Sequence, residues 1–177
     1  MGTYGPKEMA ASFRTVRKNT IQIAEDIPED KYDFVGAPDT MSVAATLKHL
    51  VYAPRLYQDI HDGTGATTMV GFDFPAALGR LRAAEEVPRT KEEIVGLLKA
   101  EGESFAAWLE SRSPEYLAET FTDGTGTQRS RLESLLSPKE HEMHHRGQLM
   151  LMERMLGIVP HVNRARQQRA PAAKPST

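Results

Sequence analysis

Apolar side chains recur every three or four residues in four stretches of the chain, each long enough for a helix. In the first, Met9, Phe13, Val16, Thr20, Ile23 and Ile27 share one face, which predicts a helix from about Pro6 to Ile27. Pro6 suits a first turn, and Pro28 stands just past the end. Residues 28–40, rich in Pro, Asp and Gly, read as a connection. A second helix is predicted from an N-cap at Ser42 to about His61, with Val43, Leu47, Leu50 and Val51 on its apolar face. Pro54 lies inside this pattern and predicts a kink or an early end, because it brings no amide hydrogen to the helix.

Asp62 to Gly79 is glycine-rich and reads as an irregular loop. The third helix begins after Thr90, with Glu93 at capping-box spacing, and buries Ile94, Leu97, Leu98, Phe105, Trp108 and Leu109 before stopping near Ser113-Pro114. Threonines around Asp123-Gly124 predict a short hairpin within residues 119–129. The fourth helix covers roughly Ser130 to Leu156 and closes at Gly157 and Pro160. Pro138 interrupts it, and Ser137-Pro138-Lys139-Glu140 would make a good helix start, so a kink or a restart is expected there. Together these elements predict an all-α, single-domain helical bundle over residues 1–162, followed by a disordered tail over 163–177.

The composition adds limits to this picture. At 177 residues, with 40% hydrophobic and 26% charged side chains, the chain suits one globular domain with a real core. A formal net charge of −2 argues against a general electrostatic affinity for nucleic acid. The absence of cysteine removes disulfides, thiolate metal sites and cysteine nucleophiles together, and fits a reducing compartment. The first residues lack the basic-then-apolar pattern of a signal peptide, and no apolar run approaches the roughly 18 residues that span a bilayer. The expectation is a cytoplasmic protein with neither a nucleic-acid nor a membrane partner.

Chemistry concentrates in His141-Glu142-Met143-His144-His145. Residues four apart on a helix share a face, with Cβ atoms roughly 5–6 Å apart, so His141 and His145 can aim at one ion. His144 is rotated away and reads as a surface or supporting residue. The pair's face continues through Gln148, Leu149, Met152 and Leu156, which points it inward, and imidazoles buried without partners cost energy. His49, on the apolar side of the second helix beside Ala45, Ala53 and Leu56, offers a third donor. Three histidines plus one open position is a common arrangement in catalytic zinc sites.

The same five residues also satisfy H-E-x-x-H, the metalloprotease signature in which the glutamate is a general base. The longer pattern fails: Gln148 stands where a glycine is needed and Leu151 where a histidine is. Downstream, Glu153 is the sole acidic residue. In the bundle reading Glu142 has no chemical role and faces solvent.

The segments His141-Glu-Met-His-His-Arg-Gly-Gln-Leu and Thr40-Met-Ser-Val-Ala-Ala-Thr-Leu-Lys-His49-Leu resemble those of the DinB/YfiT-like family of metal-dependent proteins, with Met41 where that family often has tryptophan. The resemblance extends from the first helix to Pro160. It implies a four-helix bundle with a long crossover, commonly a homodimer, and places the metal ligands on His49, His141 and His145. It implies one divalent ion, zinc or nickel, and a small-molecule substrate. Relatives implied by it include S-transferases for low-molecular-weight thiols (bacillithiol, mycothiol or glutathione) and maleylpyruvate isomerases. The expected activity is therefore a metal-dependent transferase or hydrolase that activates a thiol cosubstrate or water. The rivals are a structural or sensing metal site without turnover, an interaction module whose histidines merely pack, and the protease. Arg146 could steady an anionic substrate, Gly147 could permit close helix packing, Gln148 could hydrogen-bond near the site, and Tyr52 reads as packed core.

Overall fold

A computed structural model describes residues 4–62 and 67–169. Helix α1 is Pro6–Asp26 and α2 is Val43–Asp62. Helices α3 (Phe74–Glu86) and α4 (Lys91–Glu110) follow, then a short α5 (Pro114–Ala118). Strands β1 (Thr120–Thr122) and β2 (Gln128–Ser130) form the expected hairpin, with Phe121 opposite Arg129. Helix α6 (Arg131–Ser134) and α7 (Ser137–Met155) come next, and α8 (His161–Arg169) ends the described chain.

The bundle is made by α1, α2, α4 and α7, and side-chain pairs give their directions. Arg14 meets Glu103 and Glu110, and Lys99 meets Glu25, so α1 and α4 are antiparallel. Arg55 pairs with Glu101 and Trp108 with Asp62, so α2 and α4 are parallel. Two parallel neighbours cannot be joined by a tight turn, and residues 63–90 make the long crossover, which includes α3. Ile23, Leu47, Leu50, Ile94, Leu98 and Leu149 meet in one apolar cluster. Phe13, Phe105, Leu109 and Leu135 form a second cluster toward the hairpin end.

The predicted faces are the buried ones: all six positions cited for α1 are buried, as are Val43, Leu47, Leu50 and Val51. Thr90 and Glu93 make the capping box, and Gly157 closes α7 with a left-handed backbone (φ 78°). At Pro138 the helix restarts, the second of the two expected outcomes.

Three expectations need correction. The predicted loop from Asp62 to Gly79 holds the start of α3, although residues 63–66 lie outside the described residues. That helix buries only Ala77 fully, with Leu81 and Ala84 half-buried beside it, an apolar face of three residues that is short to read; Asp73 caps it by accepting from the Ala76 amide. The third predicted helix stops at Glu110, close to the expected Ser113-Pro114, and Pro114 then starts the short α5 with Ser113 as its cap. The tail is helical through Arg169, because Arg164 pairs with Asp26 and His161 meets Asn19 Oδ1, both on α1; residues 170–177 lie outside the described residues. Finally, α2 runs through Pro54 without ending.

The last point has a specific cause. Pro54 cannot donate to the Leu50 carbonyl, its partner one turn back. That carbonyl instead accepts from Arg17 Nη2 at 2.7 Å. Arg17 is buried at the centre of the bundle, where it also donates to the Leu98 carbonyl on α4 and forks onto Glu142 on α7 at 2.9–3.1 Å. Gly102 makes room for it: a Cβ there would come within 2.6 Å of the Arg17 stem. One guanidinium thus joins all four bundle helices.

Near the other end of α7, Glu153 is fully buried and neither carboxylate oxygen has a hydrogen-bond partner among the described residues. Burial, reinforced by the charge of Asp26, pushes its pKa up from 4.5 to about 7. The unfolded chain therefore releases this proton near pH 4.5, while the folded chain holds it to about pH 7. Stability from this group is complete below the first value and is lost as pH rises through the second. The loss comes to about 3 kcal/mol at about 1.4 kcal/mol per unit. Glu153→Gln is expected to flatten this slope. Urea unfolding of both proteins at pH 5 and pH 8 checks it, and an unchanged difference between them at the two pH values contradicts it.

Candidate metal centre

His49 sits in the second turn of α2, and His141 and His145 lie one turn apart on α7. The two helices bring the three rings together. His141 Nε2 is 3.1 Å from His49 Nε2 and 3.1 Å from His145 Nε2. In a tetrahedral site with metal–nitrogen bonds of roughly 2.0–2.1 Å, the donor atoms stand roughly 3.3 Å apart, close to this spacing.

The outer ring nitrogens decide what these atoms offer. His49 Nδ1 lies 2.9 Å from Glu85 Oε1, and a carboxylate can only accept, so Nδ1 carries the hydrogen and Nε2 keeps its lone pair. His145 Nδ1 lies 2.8 Å from Gln148 Oε1, which orients that ring in the same way. Two lone pairs thus face His141 Nε2, which can donate at most one hydrogen. Burial, together with the neighbouring histidines, pushes His141 down to about 4, and burial also lowers His145. Neutral imidazoles are the form that ligates metals. The donor set and its outer partners therefore fit a divalent cation, in the carboxylate–histidine–metal pattern.

Glu85 was not found from the sequence. It comes from α3, the unpredicted helix; the Asp73 cap and Pro75 were its local signal. Gln148 does hydrogen-bond at the site, as expected, while remaining exposed. His144 is exposed and meets Gln148 Nε2 at 3.2 Å. Tyr52 is packed core. Gly147 packs against nothing, since a Cβ there would meet open space, so its predicted role in close packing does not hold. Glu142 does not face solvent either: it is 1% exposed and held by Arg17, which also removes it as the general base of a protease.

Comparison with known proteins follows the same lines. The DinB family model matches residues 1–172. The chain belongs to the DinB family. Among solved structures, the DinB-like protein YjoA of Bacillus subtilis superposes with a TM-score of 0.63 at 23% identity, covering 85% of this chain and 92% of its own. YfiT of Bacillus subtilis, described as a probable metal-dependent hydrolase with an unusual four-helix bundle topology, gives 0.66 at 14% identity, covering 89% and 91%. A mycothiol-dependent maleylpyruvate isomerase gives 0.63 at 9% identity, covering 84% of this chain and 63% of its own. No curated protein matches in sequence. At these identities the superpositions establish the DinB bundle fold. No helix among the described residues is long and apolar enough to cross a membrane.

Proposed function

We propose that this DinB protein is a metal-dependent enzyme whose single divalent ion, zinc or nickel, is held by His49, His141 and His145. The observation that carries this reading is the convergence of three imidazole nitrogens, the outer two each 3.1 Å from His141 Nε2, with Glu85 and Gln148 behind two of the rings. A cluster of packing histidines has no need of an acceptor-only carboxylate behind one ring and a carboxamide oxygen behind another.

When bound, a divalent ion with an open position supplies Lewis acidity that lowers the pKa of a water or thiol reaching it. The chain's own groups do the rest. Glu85 and Gln148 hold the His49 and His145 rings at fixed tautomer and angle. The half-buried site limits the water that competes for the ion. The chain supplies no cysteine, so a thiol nucleophile enters as a low-molecular-weight cosubstrate, and water is the alternative in a hydrolase. YfiT and the mycothiol-dependent isomerase share the fold and span these two chemistries, which supports a nucleophile-activating role here.

Purified without chelators, the protein is expected to carry about one equivalent of divalent metal by elemental analysis. Glu85→Ala is expected to weaken metal affinity roughly 10–100-fold, the usual effect of removing a partner behind a ligand. Metal-free wild type that takes up no zinc or nickel on titration would overturn the reading.

A further inference from the structure

A cavity of about 340 Å³ opens beside the three histidines, with His145 and Gln148 in its wall. Its remaining lining comes from two sources. Helix α7 contributes Leu151, Met152 and Met155, and the α1–α2 connection contributes Gly36, Ala37, Asp39, Thr40 and Met41. Thr46 of α2 completes the floor. The connection is braced by itself: Val35 bridges to Ser42, and Thr40 Oγ1 donates to the Ala37 carbonyl at 2.7 Å. Asp39 takes a left-handed backbone (φ 60°), which Asp tolerates better than most residues and which turns Thr40 and Met41 toward α7. A Cβ added at Gly36 would come into ordinary van der Waals contact with Met152 and Met155, at 3.5–3.6 Å, so the connection passes close to these two side chains.

The chemistry of this lining is selective. Most of it is apolar, and three of its residues are methionines, whose flexible thioethers adapt to varied shapes. The polar groups are hydroxyls, one carboxamide and the His145 ring. The one charged side chain is Asp39, and among the described residues no lysine or arginine lines the cavity. Away from the metal end, seating an anion against such a wall strips its hydration with no lysine or arginine in return, which is costly. An uncharged apolar group loses nothing there and gains by leaving water.

We propose that this cavity is the substrate subsite of the metal centre and that it takes an uncharged, predominantly apolar small molecule, with its reacting atom toward His145. This rests on the metal-centre reading for its chemistry but not for its binding. It also divides the two nucleophile options: an electrophile that carries its charge along the methionine wall, away from the metal, does not fit, and a charged thiol cosubstrate has to approach from outside this cavity.

The three lining methionines allow a direct test. The chain has 8 methionines, and Met41, Met152 and Met155 are the ones in the wall. Methyl-labelled protein as purified is titrated with benzyl methyl sulfone and, separately, with its anionic isostere phenylmethanesulfonate, while NMR follows the methionine methyls. The neutral probe is expected to shift Met41, Met152 and Met155, leave buried Met9 and exposed Met143 unmoved, and bind at least tenfold more tightly than the anion. Met155→Lys, at a position already 52% exposed, is expected to erase or reverse that preference while keeping the fold. Equal binding of the two probes, or no shift at the three methyls, overturns the proposal. Shifts that include Met143 and depend on protein concentration also overturn it, by assigning this face of α7 to a second copy of the chain. Elemental analysis of the same sample reports the metal centre separately, so a metal-free protein that still binds the neutral probe fails the enzyme reading and not the cavity.

Discussion

Arg17→Ala is expected to lower the unfolding free energy by about 3–5 kcal/mol, the range for breaking one side of a buried ion pair. The Glu142 carboxylate, 1% exposed, would lose its fork of three contacts, and among the described residues it pairs with no other cation. The Leu50 carbonyl would lose the donor that stands in for the missing Pro54 amide, and the Leu98 carbonyl would lose its donor as well. Cutting the side chain back also removes an aliphatic stem packed over Gly102 and a guanidinium 5.3 Å from the Phe13 ring centre. Because an unpaired buried charge accounts for most of the loss, Arg17→Met combined with Glu142→Leu is expected to recover much of it. Recovery stays partial, since two backbone carbonyls keep no side-chain donor, at about 1 kcal/mol each. Chemical denaturation of the wild type, the single variant and the double variant measures all three. A loss under 1 kcal/mol for Arg17→Ala would show that water reaches Glu142 and that the clamp adds little.

The clamp also bears on the site. Leu50 follows His49, and Glu142 follows His141, so Arg17 ties together the two helical turns that carry the ligands. The helix pair that spaces the imidazoles is thus fixed by a polar contact beneath them rather than by apolar packing alone.

This contact shows where the sequence could be read and where it could not. The helices with strong three-four periodicity, α1, α2 and α4, were legible because the apolar stripe and the buried face are the same thing. The His141–His145 pair was legible because spacing by one helical turn fixes proximity. His49 was legible as a donor on an apolar face, though that face alone did not say which helix it would meet. What escaped depended on tertiary partners. Helix α3 turns only Ala77, Leu81 and Ala84 to the core, a face too short to stand out, so Glu85, which it delivers to His49, was invisible. Glu142 looked like a surface carboxylate because nothing local announces an arginine 125 residues away. Pro54 read as a kink or an early end, and the end does not come because the donor that rescues Leu50 comes from another helix.

The largest effect on the centre itself is expected from His141→Ala, which should drop bound metal from about one equivalent to below a tenth. His141 is the middle donor, 3.1 Å from each of the others, and without it the His49 and His145 nitrogens face each other across a gap. Two imidazoles from different helices then hold the ion with a third of the donor set gone. The loss exceeds that of Glu85→Ala, which leaves all three donors in place and changes only what stands behind one of them. His144→Ala is the matched control: same helix, same residue type, exposed, with its ring edge-on to His145 and its Nε2 on Gln148, so that it offers the centre no donor atom. It is expected to keep its metal in full. Elemental analysis after gel filtration reads the content, and circular dichroism confirms that each variant remains helical. The comparison separates a built centre from histidine-rich surface binding, because adventitious metal would fall by similar amounts in both variants. Retention of a full equivalent by folded His141→Ala would move the ion off these three residues altogether.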